Sequence, residues 1–291
     1  MNTKIDIIIP SFNGKHLLAA NLPNIIKNTT DLGEIIVIDN GSQDGTLAWL
    51  NANYPKIRVI VNQSNLGYTI PINQGVSISN SKFFVLLNND VSPKQHYLNS
   101  PLKYLSSPNI FAITFNEVDS SWPNTLWENG KMQYSRGTDK GKPVYSAWAS
   151  GGSAIFNRQI WEKLGGYDSI YSPWYWEDID IGYRAWKSGY KIIWDPSSKV
   201  VHNHESTSKN LNQKYVNLIK QRNELLFNWL NITDKNYKFE HFKYLLKYTL
   251  NHPGYLKIIL SAIFRILTHP NLKRNFSQTD KEVISNFSKS L

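Results

Sequence analysis

Six short clusters in this chain carry residue types that could do chemistry. Four follow runs of aliphatic residues: Pro10-Ser11-Phe12-Asn13-Gly14, Asp39-Asn40-Gly41-Ser42, Asn62 to Gly67 (which includes Asn65), and Asn88-Asn89-Asp90. The fifth is Glu177-Asp178-Ile179-Asp180. The sixth is His202, after Lys199-Val200-Val201. Carboxylates are hard oxygen donors of the kind that hold Mg2+ or other small divalent cations. The chain has no cysteine, which excludes disulfides and thiolate metal sites, so any metal must be held by oxygen and nitrogen. Each cluster also has an ordinary reading. Asn, Gly, Asp and Ser build turns, acidic residues at a helix start are favoured by the helix dipole, and a lone histidine is often structural. One such turn means little, whereas four on one edge of a sheet outline a polar cleft.

That edge requires a particular arrangement of elements. Strands are expected at Ile5 to Ile9, Glu34 to Asp39, Ile57 to Val61 and Phe83 to Leu87, because continuous β-branched runs suit strands buried on both faces. Helices are expected near Lys15 to Lys27, Asp44 to Asn53 and Thr69 to Ser79. This alternation predicts an α/β fold with a mostly parallel sheet flanked by helices. Ligands on such sheets sit beyond the carboxyl ends of the strands, where the four clusters fall. Asn116 to Ala147 reads as a long loop. It is followed by Trp148 to Phe156, a short helix from Arg158 to Leu164, a turn at Gly165 to Asp168, a helix from Glu177 to Lys187 and a strand from Lys191 to Asp195. Beyond Asn210 the chain turns helical, basic and aromatic. The expected division is a catalytic domain over 1–208 and a helical C-terminal appendage over 209–291.

The bulk properties agree with a folded α/β domain. Of 291 residues, 41% are hydrophobic and 19% charged, enough apolar content to build a core and too much for a disordered chain. The net charge of +10 is uneven. Met1 to Glu205 holds 18 Lys and Arg against 17 Asp and Glu, while Ser206 to Leu291 holds 14 against 5. A basic tail points to an acidic surface, membrane or nucleic acid. Met1 to Asp6 lacks a signal-peptide pattern, so a cytoplasmic location is expected. No apolar run reaches the ~18 residues of a spanning helix.

The clusters also carry a resemblance. Asp6 to Asn13, Val37-Ile38-Asp39-Asn40-Gly41-Ser42-Gln43-Asp44-Gly45-Thr46, Leu86 to Asp90, Ser150-Gly151-Gly152, Trp176-Glu177-Asp178-Ile179-Asp180 and Val201-His202 occur in the order found in family 2 glycosyltransferases. Over roughly the first two hundred residues the chain resembles that family, in particular its rhamnosyltransferase-like branch. The resemblance implies a GT-A fold, a nucleotide-sugar donor and Mn2+ or Mg2+. It implies that Asp90 and His202 bind the metal, with His202 preferred over His204. It places Asp39 on the nucleobase of a UDP- or dTDP-sugar, with Pro10, Ser11, Asn13, Asn65, Asn88 and Asn89 also on the donor. It makes Asp178 the base and sets Glu177, Gly151 and Gly152 beside the acceptor sugar. The aromatic faces of Trp174, Tyr175 and Trp176, just before the pair, suit sugar stacking or core packing alike, and Trp176 is expected on the acceptor. The chain departs from the family's frequent Asp-x-Asp at Asn88, which offers a neutral oxygen and no charge. The implied chemistry is inverting single displacement onto a glycan or lipid-linked glycan in bacterial cell-surface polysaccharide synthesis.

Two other function classes are weaker. A nucleotidyltransferase making nucleotide sugars would need a Gly-rich basic loop after the first strand, and Pro10 to Asn13 has neither feature. A nucleic-acid-binding protein would use the tail, where Lys alternates with Tyr and Phe, but no nucleic-acid partner is expected beside the motifs above. Within the tail, Tyr255 to Leu267 is apolar except for Lys257, Ser261 and Arg265, a narrow polar stripe at helical spacing. Phe242, Leu245, Leu246, Thr249 and Leu250 form another helical face flanked by Lys243 and Lys247. Such faces suit a helix lying on the inner face of the cytoplasmic membrane. The alternative is packing on the catalytic domain or a homodimer contact.

Overall fold

Isoleucine and valine runs that avoid charge must be covered on both faces, and here they lie at the centre of one mixed sheet. The computed structural model describes residues 4–117, 122–137, 141–203, 212–269, 274, 276–287 and 289. The first half runs β1 (Ile5–Ser11), α1 (Lys15–Asn28), β2 (Leu32–Asp39), α2 (Thr46–Asn53), β3 (Arg58–Val61), α3 (Thr69–Ile78) and β4 (Phe83–Leu87). Next come β5 (Val91–Pro93), α4 (Pro101–Tyr104), β6 (Ile110–Glu117), β7 (Pro123–Glu128), β8 (Lys131–Arg136), β9 (Val144–Tyr145) and β10 (Ser153–Asn157). The rest is α5 (Arg158–Leu164), α6 (Glu177–Lys187), β11 (Lys191–His202), α7 (Gln213–Asn231), α8 (Lys235–Asn251), α9 (Leu256–Leu267) and α10 (Asp280–Asn286).

The main sheet has the order β3-β2-β1-β4-β10-β6-β11-β5, with β9 also on β11. β10 runs antiparallel to both β4 and β6, and β6 runs parallel to β11. The carboxyl ends of β1, β2, β3, β4, β6 and β11 therefore share one edge. Alternation along β1 shows why both faces are apolar. Ile5, Ile7 and Ile9 pack with Leu18, Leu22 and Ile25 of α1, and Ile8 packs into the opposite core with Ile72 and Val76 of α3.

Two segments differ from the expectation. The region expected as a loop contains the β7–β8 hairpin, paired from Pro123↔Arg136 to Glu128↔Lys131. Its turn is Asn129-Gly130 with φ of 52° and 76°, the left-handed pair that an Asn-Gly hairpin turn uses. The hairpin packs on the C-terminal helices. The Trp127 indole donates to Glu240, Lys131 pairs with Glu224 at 2.7 Å, and a Cβ on Gly130 would meet the Glu240 carbonyl at 2.6 Å. β11 is one strand where two pieces were expected. A register shift between Asp195 and Lys199 carries it past the irregular stretch around Pro196.

The C-terminal helices are fastened to the body by buried polar groups. Lys187 of α6 and Asp280 of α10 are both fully buried and 2.8 Å apart. Arg274 binds Asp168 at 2.8 Å and Asp180 at 2.5 Å. The expected boundary at 208/209 lies outside the described residues, as does His204. No helix among the described residues is long and apolar enough to cross a membrane.

Candidate active site

On the donor side the strand register sets the residues in place. Ser11 pairs with Asp39, and Asp39 with Val61, so the first three clusters are neighbours. Pro10 lies one step inside the edge, beside Ile38. Asp39 is buried, and its Oδ1 accepts the Ser42 N–H at 3.0 Å. Asn13 sits at φ 49°, receives the Gln43 N–H on its Oδ1 and donates its own N–H to Ser42 Oγ. Asn65 Oδ1 receives the Asn40 side-chain amide and the Gly67 N–H. The side-chain oxygens of Asn13 and Asn65, expected on the donor, thus hold the loops around the strand ends.

β4 ends at Leu87, and its three following residues diverge in role. Asn89 donates to Ser11 Oγ at 3.1 Å, tying this turn to β1. Asn88 accepts the Tyr68 hydroxyl at 2.9 Å. Asp90 is buried and lies 3.1 Å from His202 Nε2, because Val91 of β5 pairs with His202 of β11. The other ring nitrogen, Nδ1, is 3.2 Å from Glu117 Oε1. Burial pulls the His202 pKa down, but its hydrogen bonds to Asp90 and Glu117 and their charges outweigh that and raise it to about 9. The His202 ring lies between two carboxylates. Glu117 was missed in the sequence, although it follows the apolar run Ile110 to Phe115 as the other site residues follow theirs.

Asp90 and His202 offer one carboxylate and one imidazole, a donor set suited to Mn2+ and acceptable to Mg2+. Among the described residues no group of three or more His, Asp or Glu could hold a metal ion by itself. The remaining ligands would have to be donor phosphate oxygens and water, the usual arrangement for phosphate-bridging cations. The residues present fit the cation the sequence implied.

The acceptor side is built on Gly151, Gly152 and the start of α6. A Cβ on Gly152 would stand 2.3 Å from the Asn88 amide nitrogen, so only glycine admits Asn88 here. Gly151 lies against Asp178, whose Cβ would be 3.6 Å from a Gly151 Cβ. The Tyr68 hydroxyl, 2.5 Å from the Gly151 carbonyl, shares its one proton between that oxygen and Asn88. Burial raises the Asp178 carboxyl to about 6, against backbone N–H groups of Ile179 and Gly151 that favour its ionised form. Burial, and then the charge of Asp178, push Glu177 up as well. The buried Glu177 Oε2 and the buried Tyr167 hydroxyl have no hydrogen-bond partner.

Trp176, expected on the acceptor sugar, is buried in the core, its ring 5.1 Å from Phe227. Its backbone forms the entry to α6. Tyr175 and Trp176 adopt φ of 71° and 77°, a left-handed pair without glycine that costs about 1–3 kcal/mol per residue. Asn223 of α7 holds this strained entry to α6. Fully buried, its side-chain amide donates to the carbonyls of Tyr171, Trp174 and Tyr175 at 2.7, 3.0 and 2.8 Å. Arg222 and Arg265 add hydrogen bonds to the Ser172 carbonyl. Asp180 closes the motif as a structural anchor. It is fully buried, accepts from Tyr171, Asn231, Arg184 and Arg274, and despite its burial those arginines hold its carboxyl well below the usual range.

Known proteins resemble this chain in sequence and in fold. The chain is 25% identical over 231 residues to the chondroitin synthase of Pasteurella multocida, an alignment covering 66% of this chain and 24% of that protein. It is 25% identical over 205 residues to the N-acetylglucosaminyl-diphospho-decaprenol L-rhamnosyltransferase of Mycobacterium tuberculosis, covering 58% of this chain and 66% of that one. It thus spans less than the full length of either relative. In fold it matches GalNAc-T7 solved with UDP, GalNAc and Mn2+, at a TM-score of 0.67 and 17% identity over 93% of this chain and 58% of the other. It also matches the mannosyltransferase PcManGT of Pyrobaculum calidifontis with GDP-Man and Mn2+, at a TM-score of 0.55 and 16% identity over 92% and 75%. The fold is that of the GT-A glycosyltransferases. The family model for glycosyl transferase family 2 matches residues 6–165, more than half of the sequence, and the chain belongs to that family.

Proposed function

We propose that this protein transfers a sugar from a UDP- or dTDP-sugar to a hydroxyl of a glycan, free or lipid-linked, with inversion at the anomeric carbon. The observation that carries the reading is the pair Gly151-Gly152, one glycine against Asp178 and the other against Asn88, two residues before Asp90. A single turn thus joins a carboxylate poised near neutrality to the acidic end of the donor strand. Asp39, Ser11 and the Asn88-Asn89 turn would receive the nucleotide, and Glu177 the acceptor. A divalent cation held by Asp90 and His202 would neutralise the departing nucleoside diphosphate. Asp178 takes the proton of the acceptor hydroxyl as its oxygen attacks the anomeric carbon. The bond from that carbon to the phosphate oxygen breaks, and its electron pair leaves with the nucleoside diphosphate.

The names of the chondroitin synthase and of the diphospho-decaprenol rhamnosyltransferase support a place in cell-surface polysaccharide synthesis, and a location on the inner face of the membrane is part of the same proposal. The direct test is donor hydrolysis across UDP-, dTDP- and GDP-sugars, with and without EDTA. Turnover of one UDP- or dTDP-sugar, abolished by EDTA and restored by Mn2+ or Mg2+, is the expected result. Equal indifference to all donors, or full turnover in EDTA, overturns the reading.

A further inference from the structure

α9 is inside out relative to an ordinary surface helix. Its polar residue Arg265 points to the body, donating to the carbonyls of Ile170, Ser169 and Ser172 at 3.1, 3.0 and 3.2 Å. Ile258 and Ala262 are buried beside it. The opposite side shows Leu256, Leu260, Ile263, Phe264 and Leu267, spaced as one helical face, with Phe264 66% and Leu267 73% exposed. α8 shows Phe239, Phe242, Leu246 and Leu250 in the same spacing, each more than half exposed. Nine of the fifteen exposed large hydrophobics among the described residues lie on these two helices. Scattered apolar residues need no explanation, but a concentration of this kind marks an interaction surface.

The charges select the occupant. Lys235, Lys238, Lys243, Lys247 and Lys257 are all exposed along the same two helices. The one carboxylate there, Glu240, is engaged by the Trp127 indole. An occupant must be apolar in depth and anionic at its surface. A second copy of the same face would set lysine against lysine. We propose that the outer faces of α8 and α9 dock on an anionic lipid bilayer, lying in its interface. The twelve-residue α9, about 18 Å long, is too short to span ~30 Å of hydrocarbon and suited to lie flat. Its inner face grips the loop leading to Asp178, so a bilayer on its outer face lies one helix diameter, ~10 Å, from that loop. The purpose rests on the proposed lipid-linked acceptor, for which this places the site at the membrane surface.

The test is co-sedimentation of the full chain with phosphatidylglycerol–phosphatidylethanolamine vesicles, and with phosphatidylcholine vesicles as the neutral control. Binding should require phosphatidylglycerol and weaken with salt. It should fall by about tenfold or more in Leu260→Glu/Phe264→Glu and in Phe242→Glu/Leu246→Glu. These positions are exposed, so thermal midpoint and donor hydrolysis should match the wild type. Wild-type protein that ignores anionic vesicles at low salt, or variants that bind as the wild type does, overturn the proposal. So does concentration-dependent dimerisation that the same variants abolish, which assigns the face to a second copy. Vesicle binding is read without turnover, so it can fail while donor hydrolysis succeeds, and the reverse.

Discussion

Glu117 Oε1 lies 3.2 Å from His202 Nδ1, on the far side of the ring from Asp90. The same carboxylate receives the hydroxyls of Ser150 and Ser153 at 3.3 and 2.6 Å, so it is fixed from the Gly151-Gly152 turn as well as from β6. A carboxylate behind a metal-binding histidine sets the ring's orientation and raises its basicity. Glu117→Gln should weaken Mn2+ binding in the presence of UDP by about tenfold, read by titration calorimetry or by the Mn2+ electron paramagnetic resonance signal. Unaltered affinity would detach Glu117 from the metal site.

In the proposed reaction Asp178 acts only as the carboxylate. With its carboxyl raised to about 6, the ionised fraction is nearly complete at pH 8 and falls through pH 6. Turnover should therefore be flat above pH 7 and drop about tenfold per unit below pH 6. Asp178→Asn should lower kcat by about 10²-fold or more and leave the dissociation constant for the donor nearly unchanged. A variant that retains wild-type turnover would reject the assignment.

Asn223→Ala would strand three backbone carbonyls and free the strained Tyr175-Trp176 backbone. The expected cost is about 3 kcal/mol in urea unfolding. Turnover per folded molecule should fall with donor affinity retained, because the displaced element carries Asp178. A purely structural role would lower stability and leave turnover per folded molecule intact.

Gly152→Ala would drive a methyl group into the Asn88 amide. Donor affinity should fall by about tenfold, measured by fluorescence or calorimetry, with the circular dichroism spectrum unchanged. The matching change at Gly151, where the nearest atoms stand at 3.4 Å or more, should be milder.

Much of the donor half was legible because its strands are buried on both faces. Phe83 to Leu87 begins and ends where the apolar run does, and the polar residues after it have nowhere to go but the edge. The β7–β8 hairpin was missed although Asn129-Gly130 announces it, because its strands are half exposed and lack a clean apolar alternation. Trp176 was assigned to the acceptor by its residue type, which does not reveal that Phe227 lies over its ring. Asn223 and Arg274 could not be found by any local pattern. The carbonyls held by Asn223 and the partners of Arg274 are 43 to 106 residues away, and only the folded chain brings them together.

The bond between Arg274 and Asp180 spans 94 residues of chain. A ribosome adding ~5–20 residues per second needs ~5–20 s to cover that stretch. The donor half can close its sheet during this time, but the helix headed by Glu177 and Asp178 waits for its anchor. Premature termination anywhere before Arg274 would leave a buried carboxylate short of one of its two cations. Synthesis itself thus imposes an order in which the strand-edge half of the cleft is set first and the α6 carboxylates last; if the proposed reaction holds, a nascent chain could bind nucleotide sugar well before it could use it.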